Sequence, residues 1–198
     1  MPTRCRDETN TMADDAALIQ RFVDCFQRLD DSTYTADEPP PAELSLGPDP
    51  NDWNTIRWAP AAIATPPESL TALPRSESLP MLYRQLVVSF RWLSVDLEIV
   101  RLLGNPPGDG LQPLANLMTA DPVLENTLAP NRYVRFALAA DCYDPICLDL
   151  NRVTNADCPV VRLNHESILM HDKIGDVSTL FGSFRDLVFG VLALEHQP

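Results

Sequence analysis

YVRFALAADCYDPICLDLN, Tyr133 to Asn151, followed by CPVVRL, Cys158 to Leu163, is the stretch that decides the fold. Val134, Phe136 and Leu138 alternate with Tyr133, Arg135 and Ala137, the period of two that sends successive side chains to opposite faces of a half-buried strand. Asp144 and Pro145 mark a turn, since aspartate bonds its own nearby backbone and proline fixes φ. Ile146, Leu148 and Leu150 resume the alternation, with Cys147 and Asp149 on the other face. A polar loop, Asn151 to Asp157, leads into a third apolar run from Pro159 to Leu163. Three strands joined by short loops predict an antiparallel meander.

On either side of this region the apolar period changes to that of helices. Tyr83, Leu86, Val87, Phe90 and Leu93 predict a helix from Leu79 onward, with Pro80 in its first turn. Trp92, Val95, Leu97, Ile99, Val100, Leu102 and Leu103 then suit one short strand, ended by the turn-rich Gly104 to Gly110. A further helix is expected over Leu114 to Leu128, kinked or divided by Pro122. The last runs from Ser178 to Leu194, with Phe181, Phe184, Leu187, Val188, Val191 and Leu192 on one stripe; Gly182 and Gly190 weaken it, so packing must support it.

Near the start of the chain, Leu18, Ile19, Phe22, Val23, Phe26 and Leu29 predict an amphipathic helix over residues 14 to 29, with Asp14 and Asp15 as its caps. Five prolines between Asp30 and Pro50 are incompatible with a helix or a strand ladder, so this segment is expected to be a linker. The organisation that follows is an N-terminal extension, residues 1 to 52, and a main domain, residues 53 to 198. Helices, then a meander, then a helix predict an α+β fold whose antiparallel sheet is braced by helices.

Charge narrows the choice of partner. The 198 residues include 28 acidic and 15 basic side chains, a formal charge of −13 that repels nucleic acid phosphates and anionic membrane surfaces. A basic protein is the partner this charge favours. The opening MPTRCRDETNTMADD lacks the apolar core of a secretory signal, and no run approaches the length of a membrane span, so a cytoplasmic protein is expected.

Catalytic signatures are missing. There is no G-x-S-x-G, H-E-x-x-H or P-loop, and the glycines of GNPPGDG, Gly104 to Gly110, lack the lysine of a phosphate cradle. His165 with Glu166 is the best acid–base candidate, but neighbours on an extended chain point apart, which favours a structural histidine at a strand end. His171 and His196 have no companions. Cys5, Cys25, Cys142, Cys147 and Cys158 are odd in number and irregularly spaced, so free thiols are expected rather than a disulfide framework. A zinc quartet of Cys142, Cys147, Cys158 and His165 lacks any C-x-x-C knuckle, so no metal and no cofactor is expected. Asp141, Asp144, Asp149 and Asp157 belong to the meander loops and, with Tyr143, form the expected acidic contact patch. Asp144 is the member expected to meet an arginine of the partner.

Three segments carry a family resemblance. LPMLYRQLVVSF (Leu79 to Phe90) resembles the Leu-Pro-led helix of the SUKH superfamily, the fold of bacterial immunity proteins and fungal cell-wall regulators. YVRFALAADCYDPICLDLN followed by CPVVRLNHESIL (Cys158 to Leu169) is similar to its paired strands, and SFRDLVFGVL (Ser183 to Leu192) to its closing helix. The three come in the family's order and cover about residues 60 to 194; residues 1 to 52 have no counterpart in it. Where the family commonly has an Asn-Gly turn after the first helix, this chain continues as SFRW. The resemblance implies a sheet that binds other proteins without catalysis. Its bacterial members imply an immunity protein that neutralises a basic, nuclease-type toxin by direct binding. A signalling or housekeeping scaffold is the alternative.

Overall fold

In the computed structural model, which describes residues 7–29, 34–35, 37–67 and 69–194, the chain runs α1 (Asp7–Asp24), α2 (Phe26–Leu29), β1 (Tyr34–Thr35), β2 (Ser45–Asp49), β3 (Asp52–Trp58) and β4 (Ala61–Ala62). α3 (Met81–Ser89), β5 (Phe90–Arg91), β6 (Val95–Asp96), β7 (Val100–Leu102), α4 (Gln112–Met118) and α5 (Pro122–Leu128) follow. The meander proper is β8 (Tyr133–Ala139), β9 (Pro145–Asp149) and β10 (Val160–Leu163), then α6 (His165–His171), β11 (Val177–Phe181) and α7 (Phe184–Leu194). Cys5 and His196 lie outside the described residues.

The α+β reading holds. Six strands pair in the order β11-β10-β9-β8-β7-β6, every neighbour antiparallel, so the predicted three-stranded meander is the centre of a larger one. Alternate residues of β9 and β10 feed two cores. Ile146, Leu148 and Val160 join Tyr83, Leu86, Phe184, Leu187 and Val191 of α3 and α7. Cys147, Val161 and Leu163 pack instead with Leu124 and Leu128 of α5 and Ile168 of α6. Both faces of the central strands are therefore covered by helices.

Several expected elements change where side chains compete for backbone groups. The strand expected over residues 92 to 103 is two: the Asp96 carboxylate accepts from Glu98 N at 2.9 Å, and Glu98 takes a φ of 63°, turning the chain between β6 and β7. α3 stops at Ser89 because the buried Asn105 side chain donates to Val87 O and Phe90 O, at 2.9 and 2.7 Å. Pro122 divides its helix, and Asp121 caps the second half by accepting from Val123 N and Leu124 N. In β8 a bulge between Arg135 and Ala137 brings Phe136 and Ala137 into one core and leaves Leu138 half-buried, against the strict alternation expected. The last helix begins at Phe184 rather than Ser178, since residues 177 to 181 pair with β10. Gly190 has a packing reason: a Cβ there would come within 2.8 Å of the Phe181 ring.

The linker expected over residues 30 to 50 contains strands. β1 and β2 flank β3 in a small antiparallel sheet, and Pro48 lies in β2, an edge strand with two irregularities, where a missing N–H is tolerated. The boundary drawn at residue 52 thus falls inside a hairpin. The α1 stripe is also part of the main core: Leu18, Ile19, Phe22, Val23 and Phe26 are buried in the cluster that holds Trp92 and Phe184. Asp15 is no cap, because α1 starts earlier; its buried carboxylate meets Arg185 of α7 at 2.5 Å.

At the centre of the main core, Tyr83, Phe136 and Phe184 meet edge to face, with ring centroids 5.2 to 5.7 Å apart. The Tyr83 hydroxyl is buried there without a hydrogen-bond partner, and burial pushes its ionisation well above the usual phenol range. Phe136→Ala is expected to cost about 3–5 kcal/mol through the cavity it leaves. Tyr83→Phe is expected to be neutral or to stabilise by about 1 kcal/mol, because it removes an unmet polar group at constant shape. Denaturant midpoints of the two variants check both signs.

Candidate functional site

The turn between β8 and β9, Ala140 to Asp144, is the most constrained polar region of the sheet. Ala139 N donates to Asp144 O at 2.9 Å and closes it. Arg162 of β10 then grips it from the neighbouring strand. Its Nε donates to Asp144 Oδ2 at 2.6 Å, Nη1 lies 3.2 Å from Asp141 Oδ1, and Nη2 donates to Cys142 Sγ at 3.2 Å. Asp144 N donates to the same sulfur at 3.3 Å. The other Asp144 oxygen takes His165, at 2.9 Å from its backbone N–H and 2.6 Å from its ring Nδ1. An ionised carboxylate only accepts, so Nδ1 carries the proton in this bond.

Burial alone pushes the Asp144 carboxyl up, but the His165 backbone N–H, the His165 ring and Arg162 outweigh it and hold the group well below the usual carboxylate range. Burial also pushes the Cys142 thiol up, and the Asp144 carboxylate adds to this against the pull of Asp144 N–H and Arg162. A nucleophilic cysteine needs the opposite shift. Cysteine, histidine and aspartate are thus neighbours, yet the shift of the thiol runs away from the thiolate.

The same group has donor chemistry for a cation. Ligand atoms of Cys142, Asp144 and His165 lie within 4.8 Å of one another. Two of these three groups, Asp144 and Cys142, already accept hydrogen bonds from the Arg162 guanidinium, which also meets Asp141. The zinc quartet considered from sequence is not assembled. Cys147 is buried in the smaller core and Cys158 in the larger, and burial pushes both thiols up.

His165 is also placed differently from expectation. It opens α6 behind the cap Asn164, so it does not end an extended strand, and its carboxylate partner is Asp144, while Glu166 is exposed. His171 ends the same helix, exposed.

The expected acidic patch divides. Asp141 and Tyr143 are exposed at the β8–β9 turn, Tyr143 at 75% of its full surface. Asp144 beside them is 6% exposed and already paired, which removes it as a free carboxylate for a partner's arginine. Asp149 is at the far end of β9, where it accepts from Arg152 Nε at 2.6 Å and from Asn151 N at 3.0 Å. Asp157 caps α7 from a distant loop, accepting from Phe184 N at 2.9 Å and Arg185 N at 3.2 Å. Arg162 has a single local signal in the sequence, a lone charge inside the apolar run VVRL.

No protein-family model matches the chain, nor does any curated protein or solved structure. Among the described residues, no helix is long and apolar enough to cross a membrane.

Because the folded state lowers the Asp144 ionisation, its stabilising contribution is complete above the unfolded value of about pH 4 and is lost as pH falls below it. Asp144→Asn should cost about 1.5–3 kcal/mol at neutral pH, the worth of hydrogen bonds to a charged group. Denaturant midpoints from pH 7 to pH 3 should fall more steeply for the wild type than for this variant.

Proposed function

We propose that the chain is a cytoplasmic, non-catalytic protein-binding domain of the immunity type, which neutralises a basic, nuclease-type toxin domain by covering its active surface. The observation that carries this reading is the clamped turn. Cys142 and Asp144, on either side of Tyr143, are held by Arg162 and His165, while Tyr143 itself projects into solvent. An exposed aromatic on a turn whose backbone is already fixed loses little freedom on binding, which is the property of a hot-spot anchor.

Asp141, exposed on the same turn, supplies a carboxylate at the rim. The formal charge of −13 favours encounter with a basic surface and disfavours nucleic acid and membranes as direct partners. The SUKH resemblance of residues 60 to 194 supports the same role. A signalling or housekeeping scaffold with no toxin partner uses the same turn and differs in the identity of its partner. A Cys142–His165–Asp144 hydrolase is the less favoured reading, because burial and the Asp144 carboxylate push its thiol up and its sulfur is already held by Arg162.

Affinity purification from the native cell should recover a stoichiometric basic protein. Tyr143→Ala should weaken that complex by about 2–4 kcal/mol, mainly through faster dissociation. Asp141→Asn should instead slow association and flatten its salt dependence. Stopped-flow kinetics from low to high salt separate the two effects. A hydrolytic activity in the pure protein that Cys142→Ser or His165→Ala abolishes would sink the non-catalytic reading.

A further inference from the structure

The two outer strands of the six-stranded sheet are protected very differently. β6 is two residues long, carries Asp96 paired with Arg101 of β7, and has α2 packed near it. Short length, charge and cover are the usual means by which a sheet edge avoids pairing with another chain. β11 lacks the first two, although α7 packs near it and a bulge interrupts its ladder with β10 beside Val160. Its five residues, VSTLF, include no charge and no proline, and Val177, Ser178 and Thr179 are all exposed. Among the described residues β11 pairs with β10 and with no other strand, so the outer backbone groups of Val177 to Thr179, on the regular side of the bulge, have no ladder partner.

The surroundings of this edge fit an added strand. On one face is a hollow of about 490 Å³ lined by Tyr133, Asp149, Asn151, Arg152, Val177 and Thr179. Side chains of a strand laid along β11 that face the same way as Val177 and Thr179 would border its rim. In the ladder Ser178 stands opposite Arg162, the residue that grips Asp141 and Asp144, so the edge adjoins the turn that carries Tyr143.

Charge decides between occupants. Asp172, Asp176 and Asp186 are exposed on the flanking segments, and Asp141 pairs with Arg162, against Lys173 and an Arg152 already paired with Asp149. A second copy of the chain brings the same acidic surface and another charge of −13, and is repelled. We propose that β11 binds an extended, basic segment of the partner protein as an additional antiparallel or parallel strand. This rests on the protein-binding reading above and specifies how the partner docks: main-chain bonds along β11, one or two side chains at the rim of the hollow, and the basic flank toward Asp141 and Tyr143.

The test uses the full chain and a random twelve-residue peptide library displayed on phage, counter-selected on the Ser178→Lys variant. That variant adds a charge to the edge without removing a backbone donor. Enriched peptides should be basic with alternating β-branched or aromatic residues. They should bind wild type at least tenfold more tightly than Ser178→Lys, and slow amide exchange at residues 177 to 181 at least tenfold. No enrichment over the variant, or slowed amides confined to other elements, overturns strand addition. So does sedimentation showing a dimer in which β11 amides are slowed without peptide, since the occupant is then a second copy. If the purified partner is weakened by Tyr143→Ala but not by Ser178→Lys, strand addition fails while the protein-binding function stands; if neither variant weakens it, both fail.

Discussion

Every residue of β9, Pro145 to Asp149, is buried, and this constraint organises the rest of the molecule. Antiparallel sheets commonly keep one face in water, but a central strand buried on both faces requires a helical layer on each. α3 and α7, with α1 beside them, meet one set of alternating residues; α5 and α6 meet the other. The polar atoms that this burial traps must then be paired within the protein, since an unmet buried group costs about 1–3 kcal/mol. Arg135 shows the solution. Half-way along a buried strand, its guanidinium donates to Leu117 O and Met118 O, at 2.8 and 3.2 Å, and so closes the end of α4.

The same economy governs the acids. Asp121 and Asp157 cap helices, Asp96 and Asp149 shape turns, Asp144 ties three segments together and Asp15 joins two helices. A carboxylate that accepts several N–H groups is committed to the fold, and its charge is no longer free to steer a partner. The acidic surface relevant to recognition is therefore smaller than the formal charge implies. Asp141 belongs to it and Asp144 does not, although the two are three residues apart.

How much of this was legible in the sequence depends on whether a feature is local. Strand alternation in β8 to β10 and the breaking action of Pro122 are properties of short windows, and both are present in the fold. The bulge at Phe136 is not, because an extra residue in a strand is defined by its partner's register. Helix starts were misplaced for a related reason: Asp14 and Asp15 have the composition of caps, but the apolar stripe of α1 buries Asp15 against Arg185, 170 residues away. The strands β1 and β2 were hidden by prolines, which an edge strand tolerates and a central one does not. Of the candidate site, Tyr143 and Asp141 were visible as an aromatic and a carboxylate on a turn. The grip of Arg162 on that turn crosses a strand ladder and has no local sequence signal beyond a single charge among valines.

The contact between Asp15 and Arg185 also sets an order of events during synthesis. α1 leaves the ribosome well before α7, which supplies part of the cover of its apolar stripe. At about 5–20 residues per second, the 170 positions between Asp15 and Arg185 take about 10–30 s to translate. For that interval Ile19, Phe22 and Phe26 lack part of their final cover, and the carboxylate of Asp15, buried in the finished fold, lacks its cation. α1 is therefore locked in place only once α7 has been made.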